Sequence, residues 1–284
     1  MKYNVVMFAY NEEKNITSSI NSVFESVDES LNKFYLIANG CSDRTVEVAN
    51  AARDALGFDK LCIEVIRLGD KCNAWNKYMH ELADDVSTHF FVDADVNFSQ
   101  NCFPKLHNKL VSTPERTVVI AGLPLTGRNL TFYRELVLER SCFFGNLYGV
   151  KNSFVQRIRE ANFRLPIGLN WIDSFLTKAV NTDLKFEKTN LPERTTWLED
   201  VGYSFESLSV FKRDDINLYF NRIARYELGK LQESILDNTA LSNWPASMHG
   251  INKEIWKDFA NKSAHLSWFQ RRLVRRRLIK LLSK

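Results

Sequence analysis

Apolar positions along the first 120 residues alternate between two rhythms. Val5–Ala9 is a short unbroken apolar run. Behind it Ile16, Ile20, Val23 and Val27 recur at helical steps, the stripe of an amphipathic helix. Asn11-Glu12-Glu13 between them predicts an N-cap with acids in the first turn. The pattern then repeats. Phe34–Ala38 reads as a strand, Asn39-Gly40 as a turn, and a second helix starts from about Asp43 with Val46, Ala49 and Leu56 inward. Cys62–Leu68 predicts a third strand, and Asn73–Ala83 a third helix with Trp75, Tyr78 and Leu82 on one face. Phe90-Phe91-Val92 predicts a fourth strand and Thr117–Ala121 a fifth. Strands alternating with helices predict an α/β domain built on a doubly wound, mostly parallel sheet. Ligands in such sheets bind beyond the carboxyl ends of the strands, so those ends are where chemistry is to be sought.

Composition fits a globular protein: of 284 residues, 45% are hydrophobic, 12% aromatic and 25% charged. No apolar run reaches the roughly 18 residues of a spanning helix. The opening MKYNVVMFAYNEE is too short an apolar stretch for a signal peptide and runs at once into acids. Five cysteines without a CxxC pair argue against a disulfide framework and a thiolate zinc site. The expected location is cytoplasmic. The formal charge of +4 conceals an asymmetry: from Phe259 onward there are eight basic residues and no acid, while the remainder holds 30 basic and 34 acidic residues. The stretch 267–284, SWFQRRLVRRRLIKLLSK, interleaves Trp268, Phe269, Leu273, Leu278, Leu281 and Leu282 with basic residues. Such a helix favours an anionic membrane surface, peripheral on the inner face of the cell membrane. Nucleic acid would use the same charges, but no recognition motif accompanies them. A helix packing back onto the body is the alternative.

Three strand ends carry the polar residues: Ala9-Tyr10-Asn11-Glu12, Asn39-Gly40-Cys41-Ser42-Asp43 and Asp93-Ala94-Asp95. An Asp-x-Asp at a strand end offers the hard oxygen ligands that hold Mg2+ or Mn2+ together with substrate phosphates. The same residues at a turn can simply bond to the backbone. Extending the motif to Asn97 suggests a calcium loop, but Phe98 stands where that loop needs glycine and Pro104 where it needs glutamate.

In order and spacing, FAYNEEKNI, NGCSDRT, GDKCNAWNKYM and FFVDAD resemble the nucleotide-sugar half of a family 2 glycosyltransferase with the Rossmann-like GT-A fold. The resemblance covers the first 100 residues well and continues more loosely to about residue 230. It implies that Ala9, Tyr10 and Glu12 line the nucleoside pocket and that Lys71 and Asn73 reach the nucleotide and its phosphates. Asp95 would be the principal metal ligand, for Mn2+ or Mg2+. Asp93 would be the ribose or outer partner, and Asn97 an accessory contact. Where the family commonly has an aspartate reading base or ribose, this chain has Ala38 followed by Asn39, so the base contact is altered. A UDP-sugar remains the favoured donor.

On the acceptor side, the resemblance places the general base at Asp173, within LPIGLNWIDSFL, where the family's acidic pair is reduced to Ile172-Asp173. Asp173 would also serve as a helix cap. Glu199-Asp200 is the rival carboxylate pair. The family's Gln-x-x-Arg-Trp appears as Arg222-Ile-Ala-Arg225-Tyr226, which keeps an arginine for the diphosphate and argues against a processive synthase. The domain reading is 1–230 for the catalytic domain, divided into 1–120 on the donor side and 121–230 on the acceptor side, with 231–284 a helical C-terminal extension. The expected activity is inverting transfer of one sugar from a nucleoside diphosphate to a glycan or glycolipid hydroxyl, in cell-surface polysaccharide or lipopolysaccharide synthesis. The rivals are a sugar-phosphate nucleotidyltransferase, disfavoured by the acidic loop after the first strand, and a basic-tailed membrane module whose sugar site has decayed.

Overall fold

A computed structural model describes residues 1–127, 130–205 and 213–283. Residues 1–163 with 177–205 form one compact unit, and 164–176 with 213–283 a second.

The first unit holds a sheet in the order β3-β2-β1-β4-β7-β6-β8-β5. Its strands are β1 (Tyr3–Ala9), β2 (Leu31–Asn39), β3 (Leu61–Ile66), β4 (Thr88–Asp93), β5 (Asn97–Phe98), β6 (Val119–Pro124), β7 (Leu147–Lys151) and β8 (Thr195–Ser204). All seven residues of β1 are buried, as an apolar strand with neighbours on both sides and helices on both faces must be. It pairs in parallel with β2 and β4, and β2 with β3. Beyond β4 the sheet is mixed, since β7 runs antiparallel to both β4 and β6. Four of the seven strand pairings are parallel.

The predicted helices are present with shifted ends. Helix α1 (Ile16–Ser26) starts later than the acidic cap predicts, and α2 spans Thr45–Leu56. Asn11 adopts a left-handed φ of 57°, so Asn11-Glu12-Glu13 does not cap α1. It forms a turn held by side chains of the next loop instead. Helix α3 (Lys71–Lys77) widens into a π-turn over Tyr78–Leu82. Trp75 and Tyr78 are buried as the periodicity required. Tyr78 Oη lies 2.7 Å from Nδ1 of buried His89, whose Nε2 is 3.1 Å from Asn152 Oδ1. Burial pushes that imidazole down to about 4 and keeps it neutral. Helices α4 (Cys102–Val111), α5 (Leu130–Arg140) and α6 (Asn152–Glu160) complete the first unit, with Phe103, Leu106 and Leu110 of α4 in the core beside Tyr3 and Phe90.

Beside β6, strand β8 swells. Ala121 pairs with Trp197 and Leu123 with Gly202, so Leu198–Val201 opposes Gly122 alone, a wide irregularity of the kind that re-aims side chains. The strands meet again at Gly202, where a Cβ would lie 1.8 Å from the Leu123 carbonyl oxygen.

Helix α7 (Ile172–Asn181) begins in the second unit. That unit is otherwise helical among the described residues, with α8 (Arg213–Leu236), α9 (His249–Lys257), α10 (Phe259–Lys262) and α11 (Trp268–Leu282). The basic tail thus forms α11, with a capping box in which the Ser267 hydroxyl accepts from Gln270 N–H and the Gln270 side chain accepts from Ser267 N–H. Val274 and Leu278 of α11 are buried, and the helix packs on α8 and α9. The five cysteines are free thiols.

Gly202→Ala has no room to relax, because the atom in the way is backbone. We expect it to destabilise the protein by about 2 kcal/mol or more, read as a lower urea midpoint at unchanged slope.

Candidate active site

Parallel register decides which side chains share the carboxyl rim of the sheet. Ala9 stands opposite Ala38 on β2, and Phe8 opposite Asp93 on β4. The loops leaving β1, β2 and β4 therefore start at one level.

The first two loops interlock. Glu12 N–H donates to Thr45 Oγ1 at 2.7 Å and Glu13 N–H to Asp43 Oδ2 at 3.2 Å. Ser42 N–H donates to Asn11 Oδ1 at 2.8 Å, and Arg44 N–H to Glu13 Oε2 at 3.0 Å. Asn39 is buried, and its Nδ2 donates to the Ala9 carbonyl at 2.7 Å, so this side chain braces the end of β1. The altered position Ala38 is buried as well. Gly40 has a left-handed φ of 68°, and a Cβ there would sit 2.5 Å from Gly69. These two glycines let the loop after β3 come down against the loop after β2. Tyr10 is 55% exposed, with its ring edge over Gly69.

Helix α3 starts at this rim. Asp70 is its N-cap and accepts the backbone N–H of Asn73 at 3.0 Å. That fixes Lys71 at the first helical residue, and its Nζ donates to Asp93 Oδ1 at 2.5 Å while lying 5.8 Å from the Phe8 ring centroid. Asp95 is exposed one residue beyond Ala94, whose carbonyl accepts the Ser19 hydroxyl at 2.9 Å. Asn97 accepts the Ser18 hydroxyl at 3.1 Å. Glu12 is half-buried. Burial pushes its carboxyl up to about 7 against the hydrogen bond from Asn15, and the charges of Asp95, Asp93 and Asp43 add to the rise. The structure thus brings Ala9, Tyr10, Glu12, Asn39, Lys71, Asn73, Asp93 and Asp95 to one rim.

The donor set suits a hard divalent cation. Carboxylates crowd closely enough to repel, and Lys71 pairs with one of them. Among the described residues no three His, Cys, Asp or Glu side chains form a ready cage. Mg2+ and Mn2+ habitually take one or two carboxylates and complete the shell from phosphate and water.

The other predicted residues are carried by α7, α8 and β8. Asp173 is half-buried in the first turn of α7, in the second unit. The segment before it is tightly held: Asn170 N–H and Nδ2 donate to Gln232 Oε1 at 2.9 and 3.1 Å, and Gln232 Nε2 donates to Asn252 Oδ1 at 2.8 Å. Ser174 Oγ donates to Glu233 Oε1 at 3.1 Å, and the Trp171 ring lies tilted beside that of Tyr226, 6.2 Å between centroids. Arg225 is exposed on α8, also in the second unit. The rival pair Glu199-Asp200 is exposed on the swelling of β8 in the first unit, where Glu199 pairs with Arg134 and Asp200 holds a left-handed φ of 58°. Sequence reading missed the parts of Asp70, Thr45 and Gly69. An aspartate three residues before Asn73 was the available sign for Asp70.

A sequence profile described as glycosyl transferase family 2 matches residues 4–166, more than half of the chain. Among solved structures, a mannosyltransferase from Pyrobaculum calidifontis in complex with GDP-Man and Mn2+ superposes with a TM-score of 0.63. It is 16% identical, over 99% of this chain and 74% of that one. Glucosyl-3-phosphoglycerate synthase from Mycobacterium tuberculosis, in complex with Mg2+ and UDP, superposes with a TM-score of 0.52 at 17% identity, over 79% of this chain and 78% of that one. The fold is thus the GT-A fold. No curated protein matches the sequence significantly.

Since a raised carboxyl favours the folded state only while it keeps its proton, stability linked to Glu12 is full below about pH 4.5 and declines as pH rises towards 7. Thermal unfolding in chelator should show Glu12→Gln raising Tm at pH 8 and not at pH 4. An equal shift at both pH values would disprove the assignment.

Proposed function

From the premise that the chain belongs to glycosyl transferase family 2, we propose that it transfers a single sugar, with inversion, from a nucleoside diphosphate to a hydroxyl of a glycan or glycolipid. The observation that carries the reading is the rim where Lys71 pairs with Asp93 beside Asp95 and a Glu12 carboxyl raised by burial and, after it, by its acidic neighbours. An acidic cluster of this kind gains most from a divalent cation. A lysine at its edge supplies a positive charge for diphosphate. Asp95, exposed and at the tip of the strand end, would be the main metal ligand. Asp93 would hold Lys71 in place and face the ribose. When bound, the cation would stabilise the departing nucleoside diphosphate as a Lewis acid. Tyr10, exposed above Gly69, offers a ring face for the base. Ala9 and Asn39 act by fixing the end of β1, and Asn73 by completing the first turn of α3.

Buried Ala38 can make no polar contact with a base, and the Asn39 side chain is turned onto backbone. Base selection therefore falls to Tyr10 and its surroundings. UDP remains the favoured nucleotide, with GDP the alternative, because solved structures of this fold hold either one.

The acceptor hydroxyl needs a carboxylate to take its proton as it attacks the sugar. Asp173 is the candidate. It is half-exposed, and the residues before it are held by the Asn170–Gln232–Asn252 chain of hydrogen bonds. Glu199 is engaged by Arg134, which weakens it as a base. Arg225 serves the diphosphate. An acceptor at an anionic membrane surface, in cell-surface polysaccharide or lipopolysaccharide synthesis, suits the outer face of α11, where Trp268 is 73% exposed beside exposed Arg272, Arg275, Arg276 and Lys280. No helix among the described residues is long and apolar enough to cross a membrane.

Asp95→Ala should abolish manganese-stimulated release of nucleoside diphosphate from the donor. A full-rate variant would refute the metal assignment. Asp173→Asn should bind donor as the wild type does, by thermal shift, and transfer sugar about 10²–10⁴-fold more slowly. The same phenotype from Glu199→Gln or Asp200→Asn, with Asp173→Asn active, would move the base to β8.

A further inference from the structure

Helix α11 packs into the second unit through buried Val274 and Leu278. Arg277 lies beside Leu278 and is half-buried with it. Its Nε–H donates to Asn170 Oδ1 at 2.6 Å. Asn170 is itself fixed, because its Nδ2 donates to the Gly168 carbonyl at 3.0 Å and to buried Gln232. The guanidinium is therefore locked in place by neutral partners.

Its charge has no counterpart. Burial, and then the positive charge of nearby Arg225, hold the Arg277 guanidinium down at about 10. Among the described residues neither arginine pairs with a carboxylate, although α8 carries acids close by. Glu227 is engaged by Lys230 at 3.2 Å and Gln270 at 3.2 Å, and Glu233 by the Ser174 hydroxyl. A cation withdrawn from water costs several kcal/mol unless it is paired, and a second cation beside it adds to that. Such an arrangement lacks an anion. With Nε spent on Asn170, the Nη groups of Arg277 make no hydrogen bond among the described residues, and Arg225 is exposed on α8. Guanidinium forks match phosphate oxygens two at a time.

We propose that Arg225 and Arg277 together form a binding site for a phosphate or diphosphate group, with Arg277 supplied by the C-terminal helix and oriented by Asn170. The inference rests on the reading of Arg225 as an arginine for diphosphate and deepens it by adding Arg277, held by Asn170, as the second cation of the site. The ligand chemistry is common to a soluble diphosphate and to the phosphate of an anionic lipid headgroup.

The test titrates inorganic pyrophosphate into the full-length protein in chelator at low salt, by calorimetry. Arg225→Gln and Arg277→Lys should each weaken binding at least about tenfold, the loss of a charge-assisted pair. Arg277→Lys keeps the charge and loses the fork and the Asn170 bond. Should it disturb folding by circular dichroism, Arg225→Gln, at an exposed position, carries the test alone. Pyrophosphate binding within twofold of wild type in the folded variants overturns the proposal, as does no pyrophosphate binding by the wild type. Sedimentation with phosphatidylglycerol and with phosphatidylcholine vesicles separates the sources. Phosphatidylglycerol binding that pyrophosphate displaces and both variants lose assigns the site to a headgroup. Vesicle binding unchanged by variants that have lost pyrophosphate assigns it to a soluble diphosphate. Failure of sugar transfer with pyrophosphate binding intact would sink the donor reading and leave this site standing.

Discussion

Negative charge gathered at one rim of a parallel sheet is the constraint from which the rest of the first unit follows. The register of β1 against β4 sets Asp93 level with Phe8, and the loop after β1 returns Glu12 to the same place. Charges of one sign gathered here repel, and a positive partner relieves them. One is provided by α3, whose cap at Asp70 fixes where Lys71 begins. Burial, and then those charges, raise the Glu12 carboxyl to about 7. The loop architecture serves this crowding. Side chains of Ser42, Asp43 and Thr45 hold the turn that carries Glu12, and the Gly40–Gly69 approach closes the rim from the β3 side. The hydrogen bonds of this rim are made within the first unit, by loops that lie about 30 residues apart in sequence.

The second unit solves the opposite problem with opposite means. There three buried amides, Asn170, Gln232 and Asn252, are linked donor to acceptor, and an interior satisfied in this way is rigid. Its rigidity falls on the short segment that leads into Asp173. The tail helix belongs to this lattice through Arg277. Its exposed basic residues face water, while its apolar contacts, Val274 and Leu278, are spent within the unit.

Much of the first unit was legible because apolar periodicity and turn residues agreed. Five strands and three helices lie where the pattern put them, and the polar strand ends do converge. What the pattern mistook was local. Asn11-Glu12-Glu13 looks like a helix cap because its residue types favour caps, but the partners that satisfy it come from a loop some 30 residues away, as Glu12 N–H to Thr45 shows. The swelling of β8 was invisible, since it depends on the absence of a side chain at Gly122 and Gly202. Arg277 was read as one of the basic residues of a helix for an anionic membrane surface. Its place between the steps Val274 and Leu278 was the sign that it sits at the edge of a packed face, and only the fold shows that Asn170 waits there.

The position of β1 has a consequence for synthesis on the ribosome. Of the strands in this sheet it is made before the others, and it lies in the interior, with β2 on one side and β4 on the other. The β2 edge can be covered early, because that partner follows after one helix. The β4 edge stays open until residue 93 has cleared the exit tunnel, several seconds at roughly 5–20 residues per second. For that interval the nascent chain carries an apolar strand with unpaired amides and carbonyls, the kind of edge that other chains pair with. Chaperone capture of the nascent chain should therefore be strongest in that interval and fall once β4 has docked.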